Sequence, residues 1–139
     1  MGGHNLIRNK LIRLIGLVIV VIIIIGLCFV HRILPQDNGN YSIDDYTYHI
    51  ERGFKPEQQY DEIQNYWDAY VAAQKEIKSR FPESDLSIFN TYYKRVIYYD
   101  TNSDTWLVYV LPHDVDVLGG AYACILSSNG AVISCWGEE

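Results

Sequence analysis

TWLVYVLPHDVDVLGGAYACILSSNGAVISCW, residues Thr105 to Trp136, holds three apolar runs, WLVYVL, AYACIL and AVISCW. An acidic loop that begins at Pro112 separates the first two, and Asn129-Gly130 separates the last two. Asn-Gly between apolar, β-branched runs signals a hairpin, because a type I′ turn needs φ > 0 at both central residues. A two-residue loop there predicts that Ser128 faces Ala131, Leu126 faces Ile133 and Cys124 faces Cys135. It also predicts a hydrogen-bonded position for the cysteine pair, where a disulfide would carry torsional strain. Two readings of the pair stand: a disulfide, or two reduced, buried cysteines acting as small hydrophobes.

Upstream of this stretch, Ser87–Tyr99 alternates in the manner of a strand. Tyr92, Lys94, Val96 and Tyr98 share one face, and Tyr93, Arg95, Ile97 and Tyr99 the other. Further back, Tyr60, Ile63, Trp67, Tyr70, Ile77 and Phe81 follow 3/4 spacing, which predicts one helix from Pro56 to Arg80. Pro56 suits a first helical position, Glu57, Asp61 and Glu62 favour the positive end of the dipole, and Lys75, Lys78 and Arg80 load the other end. The aromatic stripe reads as core. Gln36 to Gly53 shows no clear period and reads as a linker, with a short ordered piece at Tyr46–Ile50.

The N-terminal part differs in kind. Leu14 to Val30 carries no charged residue and is dominated by Ile, Val and Leu. In lipid every backbone group must bond internally, so such a run is helical despite its β-branched content. Arg8, Lys10 and Arg13 precede it and Arg32 follows, which predicts a cytoplasmic N-terminus and an extracytoplasmic domain. His31-Arg32-Ile33-Leu34-Pro35 is not a small-x-small cleavage site, and Leu27 before Cys28 does not suit a lipidation signal. The expected organisation is a basic cytoplasmic tail (1–13), a single-pass cell-membrane anchor (14–34), a linker (35–55) and an extracytoplasmic domain (56–139). The fold class expected is α+β: the transmembrane helix, then a long helix packed on a four-stranded antiparallel meander sheet. An oxidising compartment would permit the disulfide between Cys124 and Cys135.

From His31 onward eight Lys/Arg stand against seventeen Asp/Glu, a formal charge of −9. So acidic a domain repels phosphates, which argues against nucleic acid and leaves two readings of the charge, a basic protein partner or solubility alone. No catalytic constellation stands out: G-x-S-x-G, H-E-x-x-H, phosphate-cradling glycines and C-x-x-C are all missing. His113-Asp114-Val115-Asp116 offers too few ligands for a metal site and reads as a solvated acidic loop. No cofactor is expected. His113, Asp114 and Asp116, together with Tyr109 and Trp136, are the candidate partner-facing residues, since Tyr and Trp are enriched at interface hot spots.

The order of elements resembles a known family. Trp106-x-Val108, Leu111-Pro112, Leu118-Gly119-Gly120 and Gly130-x-Val132-Ile133, behind an apolar-aromatic helix, resemble the small bacterial immunity proteins with a nuclear transport factor 2-like (cystatin-like) fold. The resemblance covers about Pro56 to Gly137. It implies a cone of helix on sheet, no enzymatic activity, and a polymorphic toxin as the partner to be neutralised. The alternative is an anchored extracytoplasmic sensor or accessory domain that binds a peptide or small ligand.

Overall fold

An unbroken helix, α1 (Gly3–Ile33), occupies the N-terminal part of the chain. The computed structural model describes residues 3–54, 58–88, 90–113 and 120–138. Within α1, the 27-residue span Ile7–Ile33, which contains an 18-residue window with a mean hydropathy of 3.1, is long and apolar enough to cross a membrane. At 1.5 Å per residue that length rises about 40 Å, more than a hydrocarbon core of about 30 Å. Its Ile, Val and Leu side chains point outward all round, from Ile7 through Val30. The chain divides into two units, Met1–Arg32 and Ile33–Glu139.

The second unit is built on a five-stranded sheet in the spatial order β1-β2-β3-β4-β5. The strands are β1 (Gln36–Asn40), β2 (Tyr93–Asp100), β3 (Thr105–Pro112), β4 (Ala121–Ser127) and β5 (Val132–Glu138). Neighbours from β2 to β5 run antiparallel, whereas β1 lies parallel to β2, with Gln36 beside Val96 and Asp37 beside Ile97. The sheet is therefore mixed and five-stranded, not an antiparallel sheet of four. β1, QDNGN, has no apolar alternation to betray it, and its side chains are exposed from Asp37 on. Its pairing rests on the backbone.

The segment expected to be a linker is part of this fold. Behind β1 come a 3₁₀ turn (Ile43–Tyr46) and a short helix, α2 (Thr47–Arg52). Tyr41, Ile43, Tyr46 and Ile50 pack on Leu107, Ala123, Ile125 and Trp136 and close one face of the sheet. Tyr41 bonds Thr105 through their hydroxyls (2.6 Å), and the Ile43 amide donates to Asp100 Oδ2 (3.2 Å). The folded unit thus begins at Ile33 rather than at residue 56.

The other face is covered by α3 (Tyr66–Arg80). Ala69, Tyr70, Ala73 and Ile77 meet Ile97, Val108, Val110, Cys124 and Leu126 in one hydrophobic core. This helix is ten residues shorter at its start than the 3/4 spacing suggests. Asn65 Oδ1 accepts from the amides of Trp67 (2.9 Å) and Asp68 (3.1 Å), an N-cap that fixes the first turn. Upstream, the chain is extended along the turn between β4 and β5: Tyr60 N donates to Gly130 O (2.9 Å) and Ile63 N to Ser128 O (2.8 Å). Tyr60 and Ile63 still join the α3-side core, which is why their spacing imitates a helix. Pro56 and Glu57 lie outside the described residues.

The first antiparallel strand also starts later than the alternation implies, at Tyr93 instead of Ser87. Arg95, 1% exposed, explains this. Its guanidinium donates to Ser87 O (2.7 Å), Asn90 O (3.3 Å), Tyr93 O (3.0 Å), Ile33 O (3.4 Å) and Tyr70 Oη (3.2 Å). The carbonyls of Ser87 and Asn90 face the guanidinium and are not in a ladder. A buried guanidinium needs its donors matched, and here all the acceptors are neutral.

The β4–β5 connection differs from a two-residue turn in an instructive way. Ser127 O accepts from Gly130 N (2.9 Å) and Ser127 N donates to Ala131 O (2.8 Å), so the loop holds Ser128, Asn129 and Gly130. Gly130 has φ 86°, whereas Asp104 is the one non-glycine with positive φ among the described residues. This is the three-residue loop with glycine in the left-handed region. It sets Leu126 opposite Val132, not Ile133. A β-bulge then places Ile125 opposite Ser134 and Cys124 opposite Cys135. The longer loop and the bulge each shift the register by one residue, and the shifts cancel.

Candidate functional site

A groove of about 300 Å³ lies where the extended segment 60–63 meets the first turns of α3. Asp61 and Glu62 stand on one wall; Trp67, Asp68 and Val71 stand on the helix, with Lys75 beyond them. Each wall has a local cause. The extended segment is held to the β4–β5 turn by the two amide bonds above and by Gln59 Nε2 donating to Asn129 O. Gly130 makes this close approach feasible, since a Cβ there would run into the carbonyl oxygens of Tyr60 and Asp61. The helix wall is fixed by the Asn65 cap and by Asp68 Oδ2, which accepts from Gln64 N (3.2 Å) and Asn65 Nδ2 (2.9 Å).

Asp61 and Glu62 are exposed. Trp67 is 40% exposed, with its ring 5.7 Å from that of Tyr70, which leaves part of the indole facing outward. Reading positions 60–67 as helix had assigned this tryptophan to the core and the two carboxylates to a dipole. The signal for the groove was present in Asn65-x-x-Asp68, a cap-type residue followed by an acid three positions on.

Behind the groove one buried carboxylate is matched by two donors. Glu76, 1% exposed, accepts from Arg80 Nε (2.9 Å) and from Tyr60 Oη (2.9 Å). Burial first, then that hydrogen bond, raises the Tyr60 phenol well above its usual range.

Cys124 and Cys135 are opposed and wholly buried, with free thiols. Cys135 N donates to Phe54 O (3.3 Å) and Cys135 O accepts from Phe54 N (2.9 Å). Both its backbone groups thus point away from β4, so the pair occupies a non-hydrogen-bonded position, contrary to the expectation from a two-residue turn. Burial pushes the Cys124 thiol well above its usual range, and the neighbouring Cys135 adds to the shift. Such a thiol stays protonated and is a poor nucleophile.

The residues expected to face a partner are dispersed. Trp136 is 7% exposed, stacked on the His49 ring at 4.5 Å, and belongs to the core under α2. Tyr109 is half-buried in the same cluster, 6.1 Å from the Trp136 ring. Its phenol is raised by burial, as is that of Tyr41, which is pushed up to about 12. His113 is half-buried at the end of β3, its amide donating to Tyr92 O (2.9 Å). Asp114 and Asp116 lie outside the described residues. Among the described residues no three His, Cys, Asp or Glu side chains gather as a metal site requires.

No family model, curated protein or solved structure matches this chain. The functional reading therefore rests on the chain's own chemistry. That chemistry is a groove lined by Asp61, Glu62 and Asp68 beside the Trp67 ring.

Proposed function

We propose that this chain is a membrane-anchored protein of the immunity type, whose folded unit binds and neutralises a bacterial toxin by protein–protein contact. The observation that carries the reading is the groove, where Asp61, Glu62 and Trp67 offer negative charge beside an exposed indole. Acidic surface with an aromatic anchor suits a basic protein partner, because complementary charge speeds encounter and the ring supplies the buried contact. In this reading α1 is the anchor, Arg8, Lys10 and Arg13 hold the N-terminus in the cytoplasm, and the unit from Ile33 onward stands outside. The placement of α3 across one sheet face supports the finer assignment to a nuclear transport factor 2-like cone. Tethering would hold the inhibitor where an incoming toxin arrives.

The groove's volume, near the lower bound for small-molecule sites, favours one other reading, an anchored sensor or accessory domain for a peptide or small ligand. Co-expression with the product of an adjacent toxin-like reading frame separates the two. Immunity predicts survival and a co-purifying complex. Equal killing with and without this chain, and no complex, would end the immunity reading.

A further inference from the structure

We infer that the groove between Asp61-Glu62 and Trp67 is a receptor for a single arginine or lysine side chain on an extended basic segment of the partner. This deepens the proposed function and rests on it. The walls differ in kind, and the difference selects the ligand. Asp61 and Glu62 lie on a segment whose flanking amides, those of Tyr60 and Ile63, are tied to Gly130 and Ser128, so the backbone of this acidic wall is held in place. Opposite them the indole of Trp67 is exposed, and a guanidinium or ammonium over an indole face is attracted by the ring quadrupole. Val71 provides apolar wall for the aliphatic stem of such a side chain.

An anion is disfavoured at the same place. The Trp67 and Asp68 amides at the start of α3, which would otherwise attract one, are already taken by Asn65 Oδ1. Asp68 is held by Gln64 and Asn65, so it adds negative field without being the principal contact. Lys75 marks the far end of the groove and gives it polarity: the cation belongs at the Asp61-Glu62 end. The groove holds a side chain and not a helix, since about 300 Å³ is far too little for a docked helical face.

The test uses the full chain in a non-ionic detergent, titrated at low and high salt with an eight-residue arginine peptide and with a glutamate peptide of the same length. Expected is saturable binding of the arginine peptide alone, weakened by salt through screening. Asp61→Asn with Glu62→Gln should weaken it about tenfold, the scale of two exposed ion pairs. Trp67→Phe should weaken it about threefold, because phenylalanine presents a poorer face than indole. Lys75→Glu should tighten it. These substitutions sit on exposed side chains, and an unchanged thermal midpoint will show that the fold is intact. Equal affinity of the wild type and the Asp61/Glu62 variant would overturn the inference, since binding would then be diffuse attraction to an acidic surface. No binding at low salt would overturn it as well. Toxin neutralisation that persists in the Asp61/Glu62 variant would sink this inference alone, whereas failure of the wild type to neutralise would sink the proposed function.

Discussion

Cys124 and Cys135 stand opposite each other at a non-hydrogen-bonded position of the β4–β5 pair, because Cys135 turns both its backbone groups to Phe54. Side chains approach more closely at such positions than at hydrogen-bonded ones, and the Cα separation there falls inside the disulfide range. A bond between them needs no change of register. It would close a loop slightly shorter than the ~15 residues for which about 3 kcal/mol is expected, and the dependence on length is logarithmic, so a gain of nearly the same size, about 2.8 kcal/mol, is the fitting scale.

Protein folded under an oxidising glutathione buffer should therefore contain the 124–135 bond. Alkylation in denaturant, with and without prior reduction, followed by mass measurement of the two strands, reads this directly. In the reduced, folded protein both thiols should resist alkylation, being wholly buried. Full alkylation of both cysteines after unfolding without reductant would exclude the bond.

Gly130 and Asn129 should respond very differently to alanine, although a type I′ turn would make both costly. Gly130 has φ 86°, and a Cβ on it meets the Tyr60 and Asp61 carbonyls. Gly130→Ala should cost about 2–4 kcal/mol, combining the left-handed penalty with displacement of the extended segment. Asn129 is exposed and lacks positive φ; its side chain accepts from Ala131 N (3.1 Å) and from Ser127 Oγ. Asn129→Ala should cost about 1 kcal/mol, the worth of a turn hydrogen bond. Urea unfolding followed by tryptophan fluorescence will separate the two; equal costs would favour the two-residue turn.

Asn65 is the residue that decides where α3 begins. Its Oδ1 caps two amides, and replacing a cap by alanine costs about 1 kcal/mol. Asn65→Ala should lower stability by that amount and speed hydrogen exchange at Trp67 and Asp68 ahead of the helix centre. Were the helix continuous from residue 56, position 65 would lie inside it and alanine would be neutral or stabilising. Exchange rates at those two amides that match the wild type would count against the cap.

What the sequence disclosed and what it concealed follow from the kind of interaction involved. β3 and β4 are legible as continuous apolar runs because each strand buries residues on both faces, as with Leu107 and Val108. The cysteine pairing was legible only through two compensating errors, since neither the extra loop residue nor the bulge at Ile133 leaves a mark in residue type. β1 was hidden because backbone pairing at a polar edge demands no particular side chain. The start of α3 was hidden because Tyr60 and Ile63, on an extended segment, reach the core with a three-residue spacing that also suits a helix. The groove was hidden for the same reason: its two walls appear as one element until Asn65 is recognised as a boundary.

Acid should loosen the turns that join the two faces. Asp100 accepts from Ser103 Oγ (2.7 Å), Asn102 N (2.9 Å) and Ile43 N (3.2 Å), and these bonds lower its carboxyl below the usual 3.8. Asp104 is lowered by bonds from Ser128 Oγ (2.6 Å) and Tyr99 Oη (2.7 Å). Below pH 3.8 the unfolded chain binds protons that the folded chain still refuses, so stability rises with pH in that window. The contribution is fully present above pH 3.8 and is lost as pH falls through the lowered folded values. At the other extreme, burial raises Tyr41 to about 12, so its share holds below pH 10 and is lost as pH rises toward 12. Unfolding midpoints from pH 2 to pH 6 check the acid arm. The gap between the wild type and the Asp100→Asn, Asp104→Asn double variant should narrow as pH drops below 3.8. A constant gap across that range would mean that neither carboxylate is held below its ordinary value by the fold.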